Sequence, residues 1–527
     1  MNFTQHTSYA QERGNFRAFC ILFIVFLASG FSVTAQTLDG GDAKTSAGAD
    51  IVNELQDKTN IPTNLSVHRL DEVEIHSAAQ TKSYMDSERL VVSSGSDLPP
   101  ISQSVTASEI LSMQERAERI DTMLDDKLKH TLPDLMSRTG IDMWILISRE
   151  YNEDPILKTM LPATWLSARR RTILVLFNPG DGQPVQRFAV ARYQVDTLFQ
   201  KAWDKETQPS QWERLVEVIQ HKKPKKIALN KSTHFALTDG MTATEYQEFM
   251  SVLPSSLQAK VVSSEPLALA WLETRTQLEL DVYPMLTNIG HRIIAEAFSN
   301  EVITPGETTT EDVIWWLRDK TTQLGLVNWF HPSVSIQRAS AEKFDHLTAF
   351  SKSKPNTVIQ RGDLLHVDFG ITYLRLNTDQ QQHAYVLREG ETTVPEYLQQ
   401  ALRKGNRLQD IFTQLFKVGR TGNDVLKNAR EMAIAEGIKP SIYTHPLGYH
   451  GHAAGTTLGM WDSQGGVPVQ GDYPLHANTA YSIELNAASY IAEWGKEIRI
   501  MLEENALFDG QNVHYFHGRQ TTLHVIK

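Results

Sequence analysis

The chain has 527 residues, 41% of them hydrophobic and 21% charged, with a formal net charge of -11 and a single cysteine. That length exceeds what one core fills and predicts two domains with extensions. A charge spread without a basic block beyond His221–Lys226 excludes nucleic acid as the expected partner, and one cysteine excludes a disulfide framework.

Arg13 and Arg17 precede an apolar run from Phe19 to Phe31, followed by the small residues Val33-Thr34-Ala35. This is the layout of a secretory signal peptide, residues 1–35, cleaved after Ala35; the run is short for a spanning helix. Cleavage would remove Cys20 and leave a periplasmic or secreted protein with no membrane contact. Residues 36–106 are rich in Ser, Thr, Asp, Gly and Ala and are expected to be a disordered linker.

From residue 107 to 268 strand patterns alternate with helical ones. Ser108 is read as the cap of a helix to about Leu135, and strands are expected at 143–148, 171–177, 188–190 and 226–229, with a helix at 212–220. Such alternation predicts an α/β domain.

A second domain, 269–527, opens with a helix expected over 276–299. Gly306 followed by polar residues leads into an amphipathic stretch, 314–324, and Gly419 followed by polar residues leads into another, 426–436. Two such matches in register predict an internal duplication.

Between them lies the stretch 362–386. Leu364, Leu365, Val367 and Phe369 form a short apolar run, and 383–387 a second, each expected to be a buried strand and each delivering an aspartate, Asp368 and Asp379. An ionised carboxylate buried without a partner takes up a proton unless a cation compensates it. Downstream, Thr444–Gly455 is dense in His and Gly, Glu484 sits in a strand-like 481–485, and Glu503 and Glu504 sit in a strand-like 498–508. Period two puts Arg499, Met501 and Glu503 on one face and Glu504 on the other. Four carboxylates and an imidazole are hard ligands suited to a pair of divalent ions, Mn, Co, Fe or Zn.

His366-Val-Asp-Phe-Gly370, Asn377-Thr-Asp379, Gly451-His-Ala-Ala-Gly455, Ser482-Ile-Glu484 and Arg499 to Glu503 resemble the motifs of the metallopeptidases that include methionine aminopeptidase, aminopeptidase P and prolidase. The resemblance covers about 270–520 and implies a pita-bread catalytic domain, α+β with pseudo-two-fold symmetry. Residues 107–268 look like the N-terminal domain of aminopeptidase P, prolidase and creatinase. It further implies a dinuclear centre with Mn favoured: Asp379 and Glu503 bridging two ions, Asp368 completing one shell, His452 and Glu484 the other. Glu503 would accept the proton of the attacking water, and His346, preferred over His331, with His445 or His450 would bind substrate or move a proton.

Three places depart from the family's pattern. Tyr449 stands four residues after His445, so His450 and His452 compete as ligand, with Gly-His-x-x-Gly favouring His452. Trp461-Asp462 stands where proline-cleaving members have a further histidine, and Arg499 lies four rather than two residues before Glu503. The expected activity is removal of the N-terminal residue from short peptides, of the Xaa-Pro aminopeptidase or prolidase kind, by a chain that could pair with a second copy. A metal-free creatinase-like amidinohydrolase and a non-catalytic peptide-binding module are the alternatives.

Overall fold

The structure is a computed structural model and describes residues 104–340 and 357–527. The signal-peptide and most of the linker readings, and His346, lie outside the described residues.

Residues 143–263 build a six-stranded mixed sheet in the order β4-β3-β2-β1-β5-β6, with β1 (Met143–Arg149), β2 (Arg171–Phe177), β3 (Gln186–Val190), β4 (Gln200–Lys201), β5 (Ile227–Leu229) and β6 (Val261–Ser263). β1 and β2 are buried almost throughout, so their alternate residues feed two cores: Trp144, Leu146, Leu174 and Leu176 one, Met143, Ile145, Ile173 and Val175 the other. The helical run ahead of β1 begins and ends about four residues later than expected, Met113 to Thr139, and contains one π turn, Lys127–Thr131. Ser112, not Ser108, caps it: its hydroxyl accepts from the amide of Glu115, whose carboxylate returns to the amide of Ser112.

The helix expected over 276–299 is broken into Gln277–Leu280 and Tyr283–Ala297. Pro284 falls in the first turn of the second piece, where its missing N–H costs nothing.

The second sheet has nine strands among the described residues. Six form the path β13-β15-β16-β12-β9-β8: β8 (Ser333–Gln337), β9 (Leu364–Phe369), β12 (Gln380–Val386), β13 (Lys439–Ile442), β15 (Thr479–Ile491) and β16 (Lys496–Phe508). β14 (His445–Leu447), β17 (Val513–Tyr515) and β18 (His524–Ile526) join β15, β16 and β12. A three-stranded ribbon, β7 (Val327–Asn328), β10 (Ile371–Tyr373) and β11 (Leu376–Asn377), stands beside it. One sheet face is apolar and covered by helices. Leu365, Val367, Phe369, Ala384 and Val386 share a core with residues of the helices Tyr283–Ala297 and Thr310–Gln323; Ile483, Leu485, Ile500 and Leu502 share another with those of Glu396–Thr413 and Gly422–Ala435.

The two helix starts singled out in the sequence are built alike. Thr309 and Thr421 are N-caps whose hydroxyls accept from the amides of Asp312 (3.2 Å) and Asp424 (3.1 Å). The preceding Gly306 and Gly419 have φ of 91° and 80°, and their amides donate to Ile359 O (2.8 Å) and Leu475 O (2.9 Å). Thr309 bridges Val358, and Thr421 bridges Pro474.

β12 begins earlier than the apolar pattern suggests. Gln380, Gln381 and Gln382 are buried in it because each amide finds a partner: Thr287 O for Gln380, Glu484 and Glu503 for Gln381, Glu504 and His524 for Gln382.

The entry to β9 is pinned by Asp363, fully buried, which accepts from Arg338 Nε and Nη2 at 2.6 Å each and from the amide of Gln360 at 2.7 Å. Asp363→Ala should destabilise the fold by about 3 kcal/mol, the low end for a broken buried pair because Arg338 keeps some solvent contact. A thermal melt unchanged from wild type would remove that role.

Candidate metal centre

Strand register assembles the centre. Asp368 on β9 pairs with Gln381 on β12, Gln381 with Glu503 on β16, and Glu503 with Glu484 on β15. Directly paired residues point to the same face, so these four side chains form one row across the sheet. Asp379 lies two residues before Gln381. His445 on β14 pairs with Ser482, two residues before Glu484. Period two therefore brings both to the face of the row, opposite the helices. Glu504 falls on the other face, where His291 Nε2 lies 2.6 Å from its carboxylate.

The electrostatics of this face are unbalanced. Burial, then the charge of Glu503, pushes the Asp368 carboxyl well above the usual range; burial and the carboxylates of Glu503, Asp368 and Glu484 do the same to Asp379. Glu484 is raised by burial and Glu503 as well. His445 Nδ1 lies 3.0 Å from Pro446 O, an acceptor, so Nδ1 carries a proton and Nε2 is the nitrogen turned to the carboxylates. That Nε2 is 3.6 Å from Glu503 Oε1, 3.7 Å from Asp379 Oδ2 and 3.9 Å from Glu484 Oε2. His445 Nε2, Asp368 Oδ1 and Asp379 Oδ1 are all buried with no hydrogen-bond partner. An imidazole nitrogen facing three carboxylates, beside two carboxylate oxygens without hydrogen-bond partners, is an arrangement that a cation among them would satisfy. The donor set, one imidazole and four carboxylates, fits divalent ions.

Three overlapping groups have ligand atoms within 4.8 Å of one another: Asp368, Asp379 and Glu503; His445, Glu484 and Glu503; and Asp379, His445 and His452. His452 is on the outer side of this set. Its residue is exposed, and its ring stands edge-on to those of His445 and Trp329, with centroids 4.7 Å and 5.1 Å away. His450 is in none of the groups. Arg499 donates to Asn486 Oδ1 at 2.8 Å, and His331 lies 3.1 Å from an Arg318 nitrogen.

The row floors a cavity of about 550 Å³. Its walls are apolar: Trp329 and Phe330 on one side, Met460 and Trp461 on another, and Phe235 and Leu237 from the segment between β5 and β6.

One residue of the centre, Gln381, was not singled out in the sequence; it sits inside the row. Ser482, noted there only as part of a motif, donates from Oγ to Glu503 Oε1 at 2.7 Å. The spacing of Gln381, two residues after Asp379 in a strand, was the available signal.

Residues 287–506 match the model of metallopeptidase family M24. Over these residues the chain is similar to that family. The family is metal-dependent and acts on peptides, and the match supports a hydrolase of the peptidase class. Solved structures share the pita-bread fold at low identity. The X-Pro aminopeptidase of Thermotoga maritima is 17% identical, with a TM-score of 0.52 over 74% of this chain and 99% of its own. The Xaa-Pro dipeptidase of Bacillus anthracis is 15% identical, with a TM-score of 0.50 over 79% of this chain and 100% of its own. A dipeptidase of Mycobacterium ulcerans is 15% identical, with a TM-score of 0.51 over 79% of this chain and 99% of its own. No curated protein sequence is significantly similar to the chain.

Proposed function

We propose that the chain is a dinuclear-metal aminopeptidase that removes the N-terminal residue from short peptides. The observation that carries this is the orphaned Nε2 of His445 facing three carboxylates, with Asp368 Oδ1 and Asp379 Oδ1 also without partners. Asp368, Asp379, His445, Glu484 and Glu503 would hold two divalent ions, manganese foremost. The sequence motif favoured His452 as the ligand and His445 as a proton carrier; the geometry supports the exchange of those two roles.

Bound divalent ions supply activation of water and polarisation of a peptide carbonyl. The chain's own groups supply the rest. Glu503, steadied by Ser482 and shared by two of the ligand groups, would accept the proton of the attacking water. His452 stands between the centre and Trp329, where its imidazole can meet the leaving amine or the peptide carbonyl; the protein atoms packed around the ring and the neighbouring His445 lower its pKa from the usual histidine value. The aromatic walls exclude water and favour apolar residues beside the scissile bond.

The likeness to an X-Pro aminopeptidase and an Xaa-Pro dipeptidase makes Xaa-Pro peptides the first substrates to try. The paired construction around Thr309 and Thr421 supports two related halves, and the six-stranded sheet supports a creatinase-like N-terminal domain. Export rests on the N-terminal segment, and the N-terminus of the mature chain is expected at Gln36, which sequencing the secreted protein tests.

The decisive assay is a panel of Xaa-Pro and Xaa-Ala dipeptides and tripeptides with the manganese-loaded protein. Release of the N-terminal residue, lost when that residue is acetylated, is expected. Tight peptide binding without turnover would replace the reading with a binding module.

A further inference from the structure

The row that builds the centre has one member that is not an acid. Gln381 lies between Asp368 and Glu503 in register, is 3% exposed, and has its amide held at both ends. Nε2 donates to Glu484 Oε1 and, at 2.7 Å, to Glu503 Oε2; Oε1 accepts from His366 Nε2 at 2.8 Å. The reverse orientation of the amide would set its carbonyl oxygen against two carboxylates, so the network fixes which end is which. Gln381 thus holds one oxygen of each glutamate; the other oxygens, Glu484 Oε2 and Glu503 Oε1, are those nearest His445 Nε2, and Glu503 Oε1 also accepts from Ser482.

We propose that Gln381 is a positioning residue that steadies Glu484 and Glu503 in the ion-free centre and has to release Glu503 Oε2 before that carboxylate can serve two ions. The inference rests on the dinuclear reading above. With the amide in place, Asp379, His445, Glu484 Oε2 and Glu503 Oε1 offer a complete set for a first ion. A second ion, on the Asp368 side, needs Glu503 Oε2 and competes with an N–H donor to a charged acceptor. The two ions therefore load unequally, and the amide sets the difference.

Calorimetric titration of the full chain with Mn²⁺ tests this, comparing wild type with Gln381→Ala and Gln381→Glu. Wild type is expected to show two unequal sites. In Gln381→Ala the second site should tighten about tenfold, the factor that matches one hydrogen bond to a charged group, with the first changing much less. Gln381→Glu keeps the side-chain size, so it serves if the alanine variant fails to fold, and its second site should tighten at least as much. Melting curves separate positioning from a general structural role: the variants should lose stability without Mn²⁺ and regain wild-type stability with it. Two equal wild-type sites, a second site unchanged or weakened in the variants, or equal loss of stability with and without Mn²⁺ would overturn the proposal. A wild-type protein that takes up no ion would instead bring down the dinuclear reading itself.

Discussion

Glu503→Gln should leave a folded protein whose peptidase activity is lower by more than about a thousandfold. Glu503 is the residue on which the centre converges. Its Oε1 lies 3.6 Å from His445 Nε2 and accepts from Ser482, and its Oε2 accepts from Gln381. It is also the charged neighbour that most raises Asp368, Asp379 and Glu484. Removing its charge therefore relieves the ion-free protein while removing a ligand and the proton acceptor. The melting temperature without metal is expected at or above that of wild type, as for other sites where function and stability oppose each other. An active Glu503→Gln enzyme would end the account; an unfolded one would show that Glu503 is chiefly structural.

His445→Ala and His452→Ala should part company. His445 Nε2 is the imidazole nitrogen that faces three carboxylates, and Nδ1 of the same ring is held by Pro446 O. Its loss should weaken Mn²⁺ binding by at least about a hundredfold, beyond the range seen when only a supporting partner is removed. His452→Ala should leave ion binding within about threefold and lower kcat/KM for peptides, because its ring sits exposed at the cavity edge beside Trp329. The reverse pattern, ions lost with His452 and kept without His445, would restore the assignment that the Gly-His-x-x-Gly motif suggests.

That motif shows where sequence reading stopped. The apolar run around Asp368 and the alternation around Glu503 are local patterns, and both strands formed with the carboxylates on the faces that period two requires. Choosing between His445 and His452 needs the pairing of His445 with Ser482, a contact across 37 residues that no local pattern carries. Gln381 escaped for a related reason. Three successive glutamines look like an exposed turn, and only the partners brought from β15, β16 and the helix Tyr283–Ala297 make them buried strand residues. The helix Glu396–Thr413 was not anticipated at all, although its buried side chains recur at helical spacing, Leu398, Leu402, Gly405, Leu408 and Phe412.

The central claim is that one imidazole and four carboxylates on a single sheet face hold a pair of divalent ions. Anomalous diffraction from crystals grown with Mn²⁺ tests it most directly. The account predicts two peaks enclosed by Asp368, Asp379, His445, Glu484 and Glu503, with His452 outside the coordination; no anomalous density among these five residues would contradict it.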